Sequence, residues 1–285
     1  MTETAGPAQR AALTVVTVVR DDVDGLRRTA ESVARQRGVG IEHVVVDGRS
    51  TDGTLELARS LAADGSVRLR EGSDQGIYEA MNDGLADCTG AVVHFLNAGD
   101  DYLADDAAAF AVARLDAARS SWGCGPVAVV DAEGAPGGVL GRRPFALSGQ
   151  LSARGGAHHP GVFMRTGFLR ALGGFDPTYR IAADWLCITR AALVEEPVWW
   201  DRQLVRFRND GVSYRRFRAA ALDAHRARVV LLGEGTGLRT ASRIQAELRL
   251  LPVELRVQGL RAAEAVHPGL AAGLRQVRRR QRGTR

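Results

Sequence analysis

In three segments of the first hundred residues, carboxylates stand where an apolar, strand-like run stops. They are Val44-Val45-Val46-Asp47-Gly48-Arg49-Ser50-Thr51-Asp52-Gly53-Thr54, Asp74-Gln75-Gly76-Ile77-Tyr78-Glu79-Ala80-Met81-Asn82-Asp83-Gly84, and Phe95-Leu96-Asn97-Ala98-Gly99-Asp100-Asp101. Open α/β sheets place their ligand crevice at strand carboxyl ends, so acids gathered there suit a nucleotide and a divalent cation. Asp47 can accept a hydrogen bond from the ring N–H of uracil or guanine, because a carboxylate is an acceptor only. Adjacent Asp100 and Asp101 suit Mg2+ or Mn2+, which take one or two carboxylates plus substrate phosphate oxygens and water. Asp101 is either a second ligand or a helix-start residue. Ser50, Thr51 and Asp52 read as a turn and a helix cap, and Asp105-Asp106 as a cap as well.

These acids need strands that end together and helices that start beside them. Leu13 to Val19 and Ile41 to Val46 read as buried strands, followed by a short strand Val67 to Arg70 and another from Ala91 to Leu96. Between them lie a helix carrying Leu26, Ala30, Val33 and Ala34, closed by Gly38, one carrying Leu55, Ala58, Leu61 and Ala62, and one from Ile77 to Leu85. Ala80 and Gly84 would let this last helix approach a neighbour closely. Strand and helix alternation implies a mostly parallel sheet covered on both faces. Further on come a helix from Asp105 to Arg119, a strand from Pro126 to Val130, and a loop or hairpin tip from Ala132 to Gly141. Helices Thr166 to Leu172 and Ala183 to Leu193 and a strand Val198 to Phe207 follow.

Read in order, the three acidic segments resemble the donor-sugar half of family 2 glycosyltransferases of the GT-A fold, inverting enzymes of polysaccharide biosynthesis. The resemblance implies an α/β GT-A (Rossmann-like) fold, a mostly parallel sheet flanked by helices, with a helical C-terminal extension. It implies nucleotide-sugar contacts from Thr17, Arg20, Asp47, Asp74, Asn82 and Asn97, and Mg2+ or Mn2+ at Asp100 and Asp101. Ala157-His158-His159-Pro160, Gly173-Gly174-Phe175-Asp176 and Ala182-Ala183-Asp184-Trp185 resemble the acceptor half, where Asp184 would be the general base that deprotonates the acceptor. A helix cap or a buried ion pair is the other account of Asp184. His158, His159 and Trp185 would hold the diphosphate or the acceptor. Asp176 reads as a loop-shaping residue, and His43, His94, His225 and His267 as structural. More loosely, the resemblance reaches Asn209-Asp210-Gly211-Val212-Ser213.

Composition narrows the field. All 38 basic residues are arginine, and without lysine there is no Schiff-base chemistry, no pyridoxal phosphate site and no Walker-type loop. Cys88, Cys124 and Cys187 have no CxxC spacing and read as buried thiols, neither disulfides nor a zinc site. No apolar run approaches the roughly 18 residues of a membrane-spanning helix. Residues 1–10 read as a flexible start without secretory character, which implies a cytoplasmic protein. Residues 11–213 form the expected catalytic domain, with a nucleotide-sugar half (11–119) and an acceptor half (120–213).

Residues 214–285 read as arginine-rich amphipathic helices. They suit peripheral contact with an anionic membrane surface, packing on the catalytic domain or a homodimer. No nucleic-acid motif accompanies the arginines. The expected reaction moves a sugar from a UDP- or GDP-linked donor to a glycan or polyprenyl-linked acceptor. The rivals are a catalytically silent sugar-nucleotide-binding or scaffold protein and a sugar nucleotidyltransferase, which usually brings a lysine.

Overall fold

The computed structural model describes residues 11–72, 75–131, 134–141, 144–152, 156–208 and 217–232. The chain divides into two units, Met1–Arg216 and Phe217–Arg285.

In the first unit, β1 (Leu13–Val19) is buried along its whole length, as a central parallel strand covered on both faces must be. Helix α1 (Val23–Ala34) leads to β2 (Ile41–Asp47), α2 (Thr54–Ala63) to β3 (Arg68–Glu71), and α3 (Ile77–Asp87) to β4 (Val92–Phe95). A two-residue strand β5 (Asp101–Tyr102), α4 (Ala107–Ala118), β6 (Trp122–Cys124) and the hairpin β7 (Val127–Val130) and β8 (Pro136–Leu140) follow. Then come α5 (Leu147–Ser152), a 3-10 turn (His159–Gly161), β9 (Val162–Arg165), α6 (Thr166–Ala171), α7 (Ala183–Val194), β10 (Val198–Trp199) and β11 (Val205–Arg208).

The main sheet has seven strands in the order β10-β6-β9-β4-β1-β2-β3. β9 runs antiparallel to β4 and β6, and the other pairings are parallel. Strands from both expected halves of the catalytic domain therefore share one sheet. A second sheet, β5-β11-β7-β8, stands apart from it. Register Val19↔Asp47↔Glu71 brings β1, β2 and β3 to one carboxyl edge, and Ala98 N–H donates to Val18 O at 3.2 Å, so the chain leaving β4 runs along it.

α3 lies close on this sheet because of Gly84. A Cβ there would come 2.4 Å from Val16 Cγ1 and 3.3 Å from Val46 Cγ2, on side chains that are fully buried. Gly84→Val should therefore destabilise the fold by about 3 kcal/mol, the upper range for overpacking, seen as a lower urea midpoint. An unchanged midpoint would mean that α3 packs elsewhere.

Several local expectations are corrected. α1 ends at Ala34, where Arg35 N–H bonds Glu31 O at 3.1 Å; Gly38, at φ +77, lies in the bend beyond, and Ala34 itself is exposed. The run from Val198 to Phe207 is two strands in different sheets, because Trp200 turns inward to pack on Phe163 and Phe110. Asp106 precedes α4 without a side-chain capping bond and instead takes two hydrogen bonds from Arg202. α2 follows Gly53 at φ +98, and Asp52 Oδ1 accepts from Thr54 N–H at 3.0 Å.

In the second unit, α8 (Phe217–Leu232) carries exposed Leu222 and Val230 and buried Ala227. The expected helices beyond it, His267 and the terminal arginines lie outside the described residues. None of the described helices is long and apolar enough to cross a membrane.

Candidate active site

Asp47 closes β2 and is 1% exposed. Its Oδ1 accepts Ser50 N–H at 2.9 Å, which closes the turn even though Arg49 must adopt φ +63. Its Oδ2 is buried with no hydrogen-bond partner. A buried carboxylate oxygen left open is costly unless something else donates to it, so Oδ2 is open to a further donor. The neighbouring loop is locked in place: Asp21 N–H donates to Ser50 Oγ at 2.9 Å, Thr51 N–H to Asp21 Oδ1 at 2.8 Å, and Asp22 N–H to Thr54 Oγ1 at 3.0 Å. Ser50 and Thr51 thus serve the turn. Arg20, at the end of β1, is exposed and lies beside Gly48, where a Cβ would come 3.4 Å from its own Cβ.

Asn97 follows β4, and its Oδ1 is a second buried oxygen without a partner. Gly99, at φ +95, turns the chain so that Asp100 points inward, 4% exposed. Asp100 Oδ1 accepts Arg208 N–H at 3.0 Å from β11, and Asp100 O accepts Thr29 Oγ1–H at 2.7 Å. Asp101 starts β5, not a helix, and pairs with Arg206 at 3.4 Å. Burial raises its carboxyl above the usual range, against the pull of Arg206, Arg208, Arg35 and Arg28. The Asp101 carboxylate is thus already engaged by an ion pair.

No group of three or more His, Cys, Asp or Glu side chains that could hold a metal occurs among the described residues. This donor set does not make a self-sufficient metal centre. It does fit Mg2+ or Mn2+ held by one carboxylate with phosphate oxygens and water completing the shell, the usual manner for these ions.

Two residues expected to touch the donor are otherwise occupied. Thr17 is 0% exposed inside the sheet; its Oγ1–H donates to Leu96 O at 2.8 Å and lies 2.9 Å from His43 Nε2. It ties β1 to β2 and to the end of β4. Asn82 spends both ends of its amide on the backbone of one residue, Nδ2–H donating to Phe175 O at 2.7 Å and Oδ1 accepting Phe175 N–H at 2.9 Å. It fastens the GGFD turn to α3. Asp74 and Asn209 to Ser213 lie outside the described residues.

On the acceptor side, Asp184 sits in the first turn of α7. Its Oδ1 accepts Trp185 N–H at 2.8 Å and lies 2.9 Å from Tyr78 Oη of α3. Among the described residues no arginine lies within salt-bridge distance of it, so the ion-pair account has no support here. Trp185 Nε1–H donates to Gln150 O at 3.2 Å, joining α7 to α5. Burial lowers the basicity of both His158 and His159, against the attraction of Asp184, so both imidazoles are neutral near pH 7. His159 Nε2 is buried without a partner. Its ring stands 6.0 Å from Phe95 and 6.2 Å from Phe175, which meet edge-on at 4.9 Å. Aromatic contacts thus run from the end of β4, two residues before Asn97, to Phe175, which stacks on Tyr78 at 5.9 Å. The end of β4, the start of α3, His159 and the Gly173–Asp176 turn thus lie together.

The remaining groups are structural. His94 stacks on Phe163 at 3.9 Å and bonds Tyr102 and the Pro160 carbonyl, and burial pushes its pKa down to about 3. Burial holds His43 at about 4. The three cysteines are free and buried. Asp176 Oδ1 accepts Thr178 N–H at 3.1 Å and shapes its loop. Sequence reasoning passed over Tyr78 and Arg208. Tyr78 lies inside the D-x-G-x-Y segment and could have been singled out there, whereas Arg208 acts through its backbone N–H and leaves no mark of side-chain type.

A mixed sheet of this order, with acids at its carboxyl edge, defines a GT-A fold. The chain belongs to glycosyltransferase family 2: the profile described as "Glycosyl transferase family 2" matches residues 14–170. An "Uncharacterized glycosyltransferase" of Mycobacterium tuberculosis is 35% identical over 208 residues, 72% of this chain and 78% of that protein. A "PGL/p-HBAD biosynthesis glycosyltransferase" of Mycobacterium bovis is 35% identical over 171 residues, 58% of this chain and 64% of that protein. Among solved structures, the mannosyltransferase PcManGT from Pyrobaculum calidifontis, in complex with GDP-Man and Mn2+, superimposes with a TM-score of 0.62 at 21% identity, over 95% of this chain and 79% of that one. S. aureus TarS 1-349 in complex with UDP-GlcNAc gives 0.61 at 18% identity, over 82% and 70%.

Proposed function

We propose that this glycosyltransferase moves a sugar from a UDP- or GDP-linked donor onto a glycan or polyprenyl-linked acceptor, with inversion, in surface polysaccharide or glycolipid assembly. The observation that carries the reading is the 2.9 Å contact between Tyr78 Oη and Asp184 Oδ1, because it sets the one candidate base against the helix that the donor motif opens. Inversion by direct displacement needs one such base, opposite the leaving group.

In this reading Asp47 Oδ2 accepts the base N–H, and Asp184 takes the proton from the acceptor hydroxyl. Neutral His159 presents Nε2 to the diphosphate or the acceptor. The Asp100 carboxylate would hold Mg2+ or Mn2+ together with donor phosphates, and the cation, when bound, would offset the charge that grows on the leaving diphosphate. The solved GT-A neighbours bound to UDP-GlcNAc or to GDP-Man with Mn2+ support the donor class, and the relative named for PGL/p-HBAD biosynthesis supports a biosynthetic role. Peripheral contact with an anionic membrane, through the arginine-rich residues 214–285, belongs to the same proposal.

The test is a panel of UDP- and GDP-sugars offered with polyprenyl-linked acceptors, with Mn2+ or with chelator. The expected result is consumption of one donor class, lost on chelation, and a product whose anomeric configuration is inverted by NMR. Retained configuration, or full turnover under chelation, would sink the reading.

A further inference from the structure

We propose that Tyr78 is the positioning residue of the base: its hydroxyl holds Asp184 Oδ1 so that Oδ2 alone is left to receive the acceptor's proton. The inference rests on Asp184 being that base.

Tyr78 is 6% exposed in the first turn of α3, and its ring stacks on Phe175 at 26°. Phe175 is held in turn by the amide of Asn82, four residues along the same helix and so on the same face. The ring is therefore clamped, and its hydroxyl oxygen is set 2.9 Å from Asp184 Oδ1 and 2.7 Å from Ile181 O. A tyrosine hydroxyl has one proton to donate. An ionised carboxylate is the stronger acceptor, so the proton goes to Oδ1 while Asp184 is charged. Trp185 N–H also donates to Oδ1, at 2.8 Å. Oδ2 takes no protein donor among the described residues.

During transfer the acceptor O–H bond breaks and its proton passes to Oδ2. The acceptor oxygen forms its bond to the anomeric carbon, and the bond from that carbon to the phosphate oxygen breaks, its electron pair leaving on the diphosphate. Asp184 is then neutral and a weaker acceptor. The Tyr78 hydroxyl can turn to Ile181 O without moving its ring, so neither protonation state leaves it without a partner. Regenerating the carboxylate reverses the turn.

Tyr78→Phe keeps the ring and the stack and removes only the hydroxyl. We expect transfer kcat to fall by about 10- to 100-fold, the scale of one hydrogen bond to a charged group, with acceptor KM and donor affinity unchanged and the thermal midpoint lowered by only about 2–4 °C. In the double variant Tyr78→Phe/Asp184→Asn the loss should be no greater than in Asp184→Asn alone, because the hydroxyl acts only through the carboxylate. Unchanged kcat in Tyr78→Phe, or losses that multiply in the double variant, would overturn the role of Tyr78. Wild-type turnover in Asp184→Asn overturns the base itself, and it does so whatever Tyr78→Phe shows.

Discussion

Asp184→Asn should lower transfer by roughly 10² to 10⁴-fold while leaving the donor affinity and the fold intact. The substitution preserves size, and the amide oxygen can still accept from Tyr78 Oη and Trp185 N–H, the two groups that hold Oδ1. What is lost is the capacity to take a proton at neutral pH, because an amide does not do so. Since a tenfold change in rate is about 1.36 kcal/mol, the loss corresponds to about 3–5 kcal/mol of transition-state stabilisation. Turnover on the true acceptor, measured beside calorimetric donor binding, separates the two effects. A variant with near-normal kcat would remove Asp184 as the base, and weakened donor binding would move it to the donor side of the crevice.

The second large effect is expected at Asp100. Asp100→Ala removes the inward carboxylate at the end of the β4 loop and with it the acceptor for Arg208 N–H. If that carboxylate holds the cation, the lost charge stabilisation is several kcal/mol, a fall in rate on the order of 10³-fold, and Mn2+-dependent donor binding should weaken with it. Asp100→Asn serves as the structural control, because its amide oxygen can still accept from Arg208 N–H and keep the turn before β5 tied to β11. Undiminished Mn2+-dependent binding in both variants would take Asp100 out of the site. Asp101→Ala should have the smaller effect, since its carboxylate is already engaged by Arg206. A larger loss at Asp101 would shift the ligand by one residue.

Much of the sheet edge was legible because strand ends are written in the chain as apolar runs that stop at polar residues. β1 and β2 begin where they were expected, and the acids after β2 and β4 come to one edge. Thr17 shows what such a reading leaves out. In a parallel strand covered on both faces every side chain is buried, so neither hydropathy nor parity tells a crevice residue from an interior one two positions short of the strand end. The bonds of Asn82 were hidden for another reason. Within its motif it reads as a polar group near the ligand, but its partner is 93 residues away, and no local pattern announces such a pair. The broken strand at Trp200 is similar: an apolar run continues in sequence, while a large indole finds a better place in the core than on a strand.

By itself, then, the sequence settled the fold class and excluded the chemistry that a chain without lysine cannot do. These follow from residue type and short-range spacing, which the chain carries in any conformation. Only the tertiary structure decided which polar groups are occupied and which are open: Thr17 and Asn82 saturated by distant partners, and Asp47 Oδ2, Asn97 Oδ1 and His159 Nε2 buried without one. It also decided that Tyr78 and Asp184, 106 residues apart, meet. The reason is that a hydrogen bond is fixed by distance and angle within a few tenths of an ångström, and that precision arises only when the packed sheet and helices hold both partners still.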